Sequence, residues 1–349
     1  MSVQSLRGSG IVRSQSRRRT AVEKSATTRS SGRKYLPAAV FTAAFVSVPW
    51  SAVWEGIHGV PQHDRAVYVG QIDGGWLGYD VPGPRNPLDY IRDEYVWGWV
   101  LNLLVRVIGL SPDGAFLVIT AVAVFTAACI VVRYARPLTL VLLLNPIFVQ
   151  LVTDQLRISL ALSVLGWIYL LGRKHIWAAA PLVAVAAVIH TSSPVFAMVL
   201  TASVVSGADW PSRRPAAQYA IMASSGIAGA VLFGPLRDVI LGYFGDRRVG
   251  EVYRTSSGAF YVFWALLLLA LTLSWAETRR TTTGRYALGG LWWVLGAVVT
   301  LGYPDRILAS ILPYVISAMV RLKAPLRDLA VLGYLVNTMI LWLFWFRVI

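Results

Sequence analysis

Cysteine is nearly absent from this chain, charge is scarce, and the common motifs of soluble enzymes are missing. The single Cys129 lies in an apolar run, which excludes an intrachain disulfide and leaves thiol redox chemistry without a pair. No His and Cys residues have the spacing of a zinc or iron-sulfur ligand set. There is no phosphate-binding Gly-rich loop ending in Lys, no Gly-x-Ser-x-Gly elbow and no His-Glu-x-x-His helix. Cytosolic nucleotide chemistry therefore lacks support, and neither a metal nor a cofactor is expected. No inverted repeat is evident, which argues against a secondary transporter.

What the chain has is apolar length. Its 349 residues are 56% hydrophobic and only 14% charged, with a mean hydropathy of +0.59. That balance belongs to an all-α, polytopic transmembrane helical bundle. Apolar segments fall near 35–54, 114–134, 137–152, 157–172, 176–190, 194–206, 217–234, 259–276, 286–302, 307–320 and 328–346, and predict about 11 transmembrane helices. Several are shorter than the roughly 20 residues of a perpendicular span, so tilted or broken helices are expected. The net charge of +15 would suggest nucleic acid in a soluble protein, but residues 1–34 alone carry nine Lys and Arg against one Glu. This Ser-rich tail reads as disordered and cytoplasmic, touching anionic lipid rather than nucleic acid. Residues 35–349 form the transmembrane domain, with outer loops at 55–94 and 235–258.

The basic loops set the orientation. Arg133 to Arg136, Arg173-Lys174, Arg213-Arg214, Arg279 to Arg285 and Arg321 to Arg327 all face the cytoplasm with the tail if Tyr95 to Leu110 does not cross. On that topology 21 of the 32 basic residues lie inside with four acids, and the other 11 lie outside with 13 acids. The stretch 95–110, with Trp97, Trp99, Asn102 and Arg106, is then a re-entrant or amphipathic helix at the outer face, its tryptophans at the interface. The protein is expected to be multi-pass, with its N-terminus cytoplasmic.

By the same parity the unusual polar residues converge on the outer side. Thr153-Asp154-Gln155-Leu156-Arg157 interrupts two apolar runs, where charge is costly and usually retained for a task. Arg157 follows Asp154 by three, so the two can pair along one helical face. Either that pair satisfies a broken helix, or the guanidinium binds a phosphate or sugar oxygen, which Arg does better than Lys. Tyr303-Pro304-Asp305-Arg306 repeats the design, and two such arginines suggest an anion cradle aided by helix N-termini. His190 ends the run 178–189. It is either a hydrogen-bonded structural histidine or, facing Arg157 across the hairpin Gly172 to His175, a base or hydrogen-bond donor.

The loop 55–94 carries His63-Asp64-Arg65, Tyr68, Asp89, Arg92, Asp93 and Glu94. Its Gly, Pro and Asp content suits a solvated connection. Asp64, Asp93 and Glu94 are nevertheless the carboxylates from which a catalytic base, or a cation site, would be drawn. Asp246-Arg247-Arg248, Glu251, Tyr253 and Arg254 in the loop 235–258 suit carbohydrate contact or an ordinary polar lid. Gly226 and Gly229, and Gly289 and Gly290, read as close helix contacts.

The order of these parts resembles the EpsG family of bacterial polysaccharide-biosynthesis membrane proteins, related in role to Wzy-type O-antigen polymerases. The likeness runs through Asp64-Arg65-Ala66-Val67-Tyr68, then Glu94-Tyr95-Val96-Trp97-Gly98-Trp99. It continues through Asp154-Gln155-Leu156-Arg157-Ile158-Ser159-Leu160-Ala161 and a basic hairpin leading to His190-Thr191-Ser192. It covers about residues 60–320 and is strongest from 140 to 200. The chain departs where Ile158 stands in place of a frequent Gln, and in its long basic tail. The resemblance implies a C-type glycosyltransferase with a GT-C-like fold. Such an enzyme joins undecaprenyl-pyrophosphate-linked repeat units into O-antigen, capsule or exopolysaccharide at the outer face of the bacterial inner membrane. Its partners would be lipid-linked glycan donor and acceptor, membrane lipid and a chain-length regulator. The expected site groups His190, Asp64, Glu94 and Asp154 as catalytic. Arg157, Arg306, Arg65, Tyr68, Gln155, Tyr303 and Asp305 are expected to bind substrate. The alternatives are a transferase adding one sugar or acyl group to a lipid-linked glycan, and a lipid-linked sugar transporter.

Overall fold

The computed structural model describes residues 35–75, 86–171, 179–208, 214–243, 249–250, 258–300 and 302–348, with no strand among them. The first helices are α1 (Leu36–Val46), α2 (Trp50–His58), α3 (His63–Asp73), α4 (Pro87–Arg92) and α5 (Tyr95–Asn102), the last running into a π turn over Leu103–Val107. Next come α6 (Pro112–Val132), α7 (Pro146–Thr153), α8 (Leu156–Leu171), α9 (Ala179–Ile189), α10 (Ser193–Val205) and α11 (Pro215–Phe233). The chain closes with α12 (Arg237–Tyr243), α13 (Gly258–Leu273), α14 (Trp275–Thr278), α15 (Thr282–Val299), α16 (Pro304–Met319) and α17 (Leu326–Trp345).

Proline places many of the starts. Pro112, Pro146, Pro194, Pro215 and Pro304 each occupy a first turn, where the missing N–H would have had no partner in any case. Side-chain caps add to this: Ser111 accepts from the Gly114 N–H and Asn145 from that of Ile147, both at 3.1 Å.

Four helices are long and apolar enough to cross a membrane: Leu36–His58, Pro112–Val132, Pro215–Phe233 and Leu326–Trp345. A fifth joins them if Pro146–Thr153 and Leu156–Leu171, bent by 99° at their junction, count as one span. The expected eleven crossings are thus not reproduced among the described residues. Polar and proline junctions cut the apolar sequence into pieces shorter than the roughly 20 residues a span needs. The segment 137–152 is the clearest correction. Its first half is a 3-10 turn, Pro137–Leu143, and the helix starts afresh at Asn145-Pro146. A second correction concerns 55–94, which is no simple solvated loop: α3 packs its Tyr68, 1% exposed, under the bundle end. A third concerns the interfacial tryptophans. Trp97 is in the core with Tyr68 and Phe116, and only Trp99, 48% exposed, faces outward.

Two ends of the bundle can be told apart by what meets there. At one end the Arg133 guanidinium donates to Leu170 O at 2.8 Å, Arg321 lies over the Tyr134 ring and the Lys323 ammonium meets Glu277 at 2.5 Å. Arg285, buried, caps the end of α10 by donating to Ser203 O at 2.7 Å. At the opposite end the start of α3 meets the starts of α6, α8 and α16. The helices α6, α8 and α16 therefore run parallel. The helix α17 returns antiparallel, bonded along Leu142, Leu144 and Asn145 to reach His58. The helices α11 and α15 lie close enough that Gly226 faces the Gly289 carbonyl and Gly229 the Trp293 ring.

Candidate active site

The described part of the loop before α5 brings the sequence motifs together. Asp154 closes α7, and its Oδ1 accepts the backbone N–H of Arg65 at 3.1 Å, with that of Asp64 also directed toward it. Those are N–H groups of the first turn of α3, whose own N-cap residue, Gln62, gives no side-chain bond to them. Asp154 thus supplies a helix cap from another part of the chain. Gln62 instead donates to the Thr153 hydroxyl at 3.0 Å, so two successive residues of the α7–α8 junction hold the start of α3.

Docked in this way, α3 aims Tyr68 at Arg157. The Tyr68 hydroxyl accepts from Arg157 Nε at 3.1 Å, and its ring lies 4.9 Å from that of Trp97. Burial is the main reason the Tyr68 phenol is pushed up to about 12, so it stays protonated at any physiological pH. The Arg157 Nη1 bonds the Glu94 carboxylate. Glu94 is 4% exposed, and its other oxygen faces His190 Nδ1 at 2.5 Å and the Thr191 N–H at 3.4 Å. Four residues from four stretches of sequence thus form one network, with Glu94 and Tyr68 buried and Arg157 and His190 partly exposed.

A second group lies beside it. Arg306, 44% exposed at its side chain, approaches Asp64 at 3.8 Å, a separation that holds it loosely. Its guanidinium and that of Arg237 both lie against the Tyr303 ring, at 5.4 Å and 5.2 Å. Asp64 acts electrostatically on Tyr68 and Arg157, and Arg306 acts on Asp154, so the two groups share one electrostatic field.

Several expectations change. Arg157 does not pair with Asp154, because the 99° bend turns the two apart and each finds a partner in another element. Asp64, Asp93 and Glu94 do not converge. Asp93 pairs with Arg92 at the surface, and no group of three or more metal-ligating side chains occurs among the described residues. Arg65 turns its side chain to Asp113 at 2.6 Å and stacks over Phe116 rather than joining the cluster. Asp305 accepts from the Tyr261 hydroxyl at 2.8 Å. Gln155 has a buried side-chain oxygen without a hydrogen-bond partner among the described residues. The hairpin Gly172 to His175, and Asp246, Arg247, Arg248, Glu251, Tyr253 and Arg254, lie outside the described residues. Residues missed in the sequence are Asp113, Arg237 and Tyr261; a hint for Asp113 was its place in the first turn after Ser111-Pro112.

An interior cavity between α6, α8 and α16 is lined by Thr126, Ser159, Ser163, Tyr286, Ser310 and Tyr314 and includes none of these charged groups. No family model, curated protein or solved structure matches the chain.

Proposed function

We propose that the protein is an integral-membrane glycosyltransferase of the C type, a polymerase that joins lipid-pyrophosphate-linked oligosaccharide repeats into a surface polysaccharide. The observation that carries this reading is the gathering of Arg157, Glu94, His190 and Tyr68, with Arg306 alongside, at the bundle end opposite the basic residues. The loop charge supports a cytoplasmic basic end, and on that orientation the cluster faces the exterior of a bacterial inner membrane. The resemblance to the EpsG family supports the same choice of substrate and an undecaprenyl carrier.

The chemistry follows from the groups. An acceptor sugar hydroxyl attacks the anomeric carbon of the donor glycan, and the lipid pyrophosphate departs. Arg157 keeps Nη2 without a partner among the described residues, and Arg306 is only loosely held, so both have donors left for phosphate oxygens. Guanidinium groups fixed before the reaction stabilise charge as it develops on the leaving group. A base of the same cluster takes the hydroxyl proton.

Deleting the gene should shorten surface polysaccharide to single repeats, and Arg306→Ala should abolish polymer while the protein stays in the membrane. An unchanged length distribution in the deletion would overturn the polymerase. Loss of one substituent at full chain length would favour a single-group transferase instead. Translocation of a labelled lipid-linked sugar without a new glycosidic bond would mark a transporter, against which stands the gathering of the cluster at one end.

A further inference from the structure

Glu94 is an ionisable group held in a forced backbone. Its φ of 50° and ψ of 47° are left-handed, a conformation that costs a non-Gly residue about 1–2 kcal/mol. It stands at the N-cap of α5, yet its side chain makes no capping bond there. The carboxylate crosses instead to α8 and to the junction of α9 and α10, where Arg157 and the Thr191 N–H donate to its oxygens and His190 Nδ1 faces one of them at 2.5 Å. A carboxylate oxygen can only accept, so the ring nitrogen facing it carries a proton. Neutral His190 then has its lone pair on Nε2, for which no hydrogen-bond partner exists among the described residues. The side chain is 14% exposed, shielded but reachable. Of the other carboxylates, Asp154 is engaged by the backbone N–H of Arg65, and Asp64 lies 3.8 Å from Arg306 rather than against the histidine.

We propose that His190 is the proton acceptor of this site, acting through Nε2, and that Glu94 is a positioning residue rather than the base, fixing the His190 tautomer while it orients Arg157. The inference rests on the glycosyl-transfer reading for the identity of the acceptor, an alcohol. In the step, the hydroxyl proton passes to His190 Nε2 as the oxygen lone pair forms the bond to the anomeric carbon. The bond from that carbon to the pyrophosphate oxygen breaks, and its electron pair stays on the leaving group. The imidazolium, stabilised by the Glu94 charge, returns its proton to solvent after product departs. One carboxylate thereby sets the geometry of both the base and the phosphate clamp.

The test uses the full chain in lipid nanodiscs with nitrogen-15 histidine, the His190 signal being identified by its loss in His190→Asn. Wild-type neutral imidazole should show a protonated Nδ1 and a bare Nε2, and Glu94→Ala should release it to the Nε2–H form that free imidazole side chains favour. A wild-type Nε2–H tautomer overturns the proposal without recourse to any variant. With lipid-linked donor, His190→Gln should lower kcat by about 100-fold or more with little change in the donor KM, and added imidazole should restore part of it. Full kcat in His190→Gln, in a wild type that polymerises, overturns the base assignment alone. An Nδ1–H tautomer in a protein that forms no glycosidic bond supports the pairing and overturns only the glycosyl-transfer reading.

Discussion

Removing Arg157 is the most informative perturbation, because two buried groups depend on it. Glu94 is 4% exposed and Tyr68 is 1% exposed, so water cannot simply replace the guanidinium. Truncating one member of a buried ion pair costs about 3–5 kcal/mol. The orphaned Tyr68 hydroxyl adds about 1 kcal/mol. The imidazole of His190 remains on Glu94 and offsets part of this, so Arg157→Ala should destabilise the fold by about 3 kcal/mol. Glu94→Gln keeps the shape but leaves the guanidinium without its counter-charge. Its side chain is 23% exposed and gains some water, so about 2 kcal/mol is expected. In the double variant neither charge is stranded, and its cost should fall short of the sum by about 2 kcal/mol. Reversible unfolding in mixed detergent micelles, followed by circular dichroism, measures all four corners of the cycle. Additivity within about 0.5 kcal/mol would refute the pairing.

Other perturbations probe the supports of the site. Asp154→Ala should loosen α3 at the cost of a lost cap, about 1–2 kcal/mol, seen as faster hydrogen exchange over residues 63–73, while Asp154→Asn keeps an acceptor and should behave close to wild type. Unchanged exchange in Asp154→Ala would remove its role as a cap. Gly226→Ala brings a methyl to 2.2 Å from the Gly289 carbonyl oxygen and 2.9 Å from the Trp293 nitrogen, backbone atoms that cannot step aside. It should lower Tm well below that of Gly56→Ala, which meets nothing within 4 Å, and equal values would contradict the close approach. Tyr68 has its phenol raised from 10.0 to about 12 mainly by burial, so the folded state keeps a proton that the unfolded chain loses. Stability from this group is full below pH 10.0 and falls as pH rises toward about 12, by on the order of 2 kcal/mol. Tyr68→Phe should flatten that part of the alkaline unfolding curve, and identical curves would count against the burial.

Much of the site was legible from charge in apolar surroundings. Arg157, His190 and Arg306 stand out because each interrupts an apolar run, Glu94 because it is an acidic residue entering a hydrophobic stretch, and Tyr68 only by its place beside Asp64 and Arg65 in the polar outer loop. Their partners were not legible. The spacing of Asp154 and Arg157 suits an uninterrupted helix, and the bend at their junction removes that pairing. Arg237 and Tyr261 gave no signal, since a stacked arginine and a buried hydroxyl acquire meaning only from Tyr303 and Asp305, which lie far along the chain. Where the continuous helices break was less legible. Hydropathy registers apolar content, whereas Asn145-Pro146 acts through backbone geometry and one side-chain cap.

Composition alone determined that the chain is helical and apolar enough to meet a membrane, because a backbone in lipid must satisfy its own hydrogen bonds. The distribution of Lys and Arg separated the two ends before any contact was known. Only the tertiary structure decided that Glu94, and not Asp154, is the partner of Arg157. That choice depends on the docking of α3 and on a left-handed residue at the start of α5, and both arise from contacts between segments more than sixty residues apart.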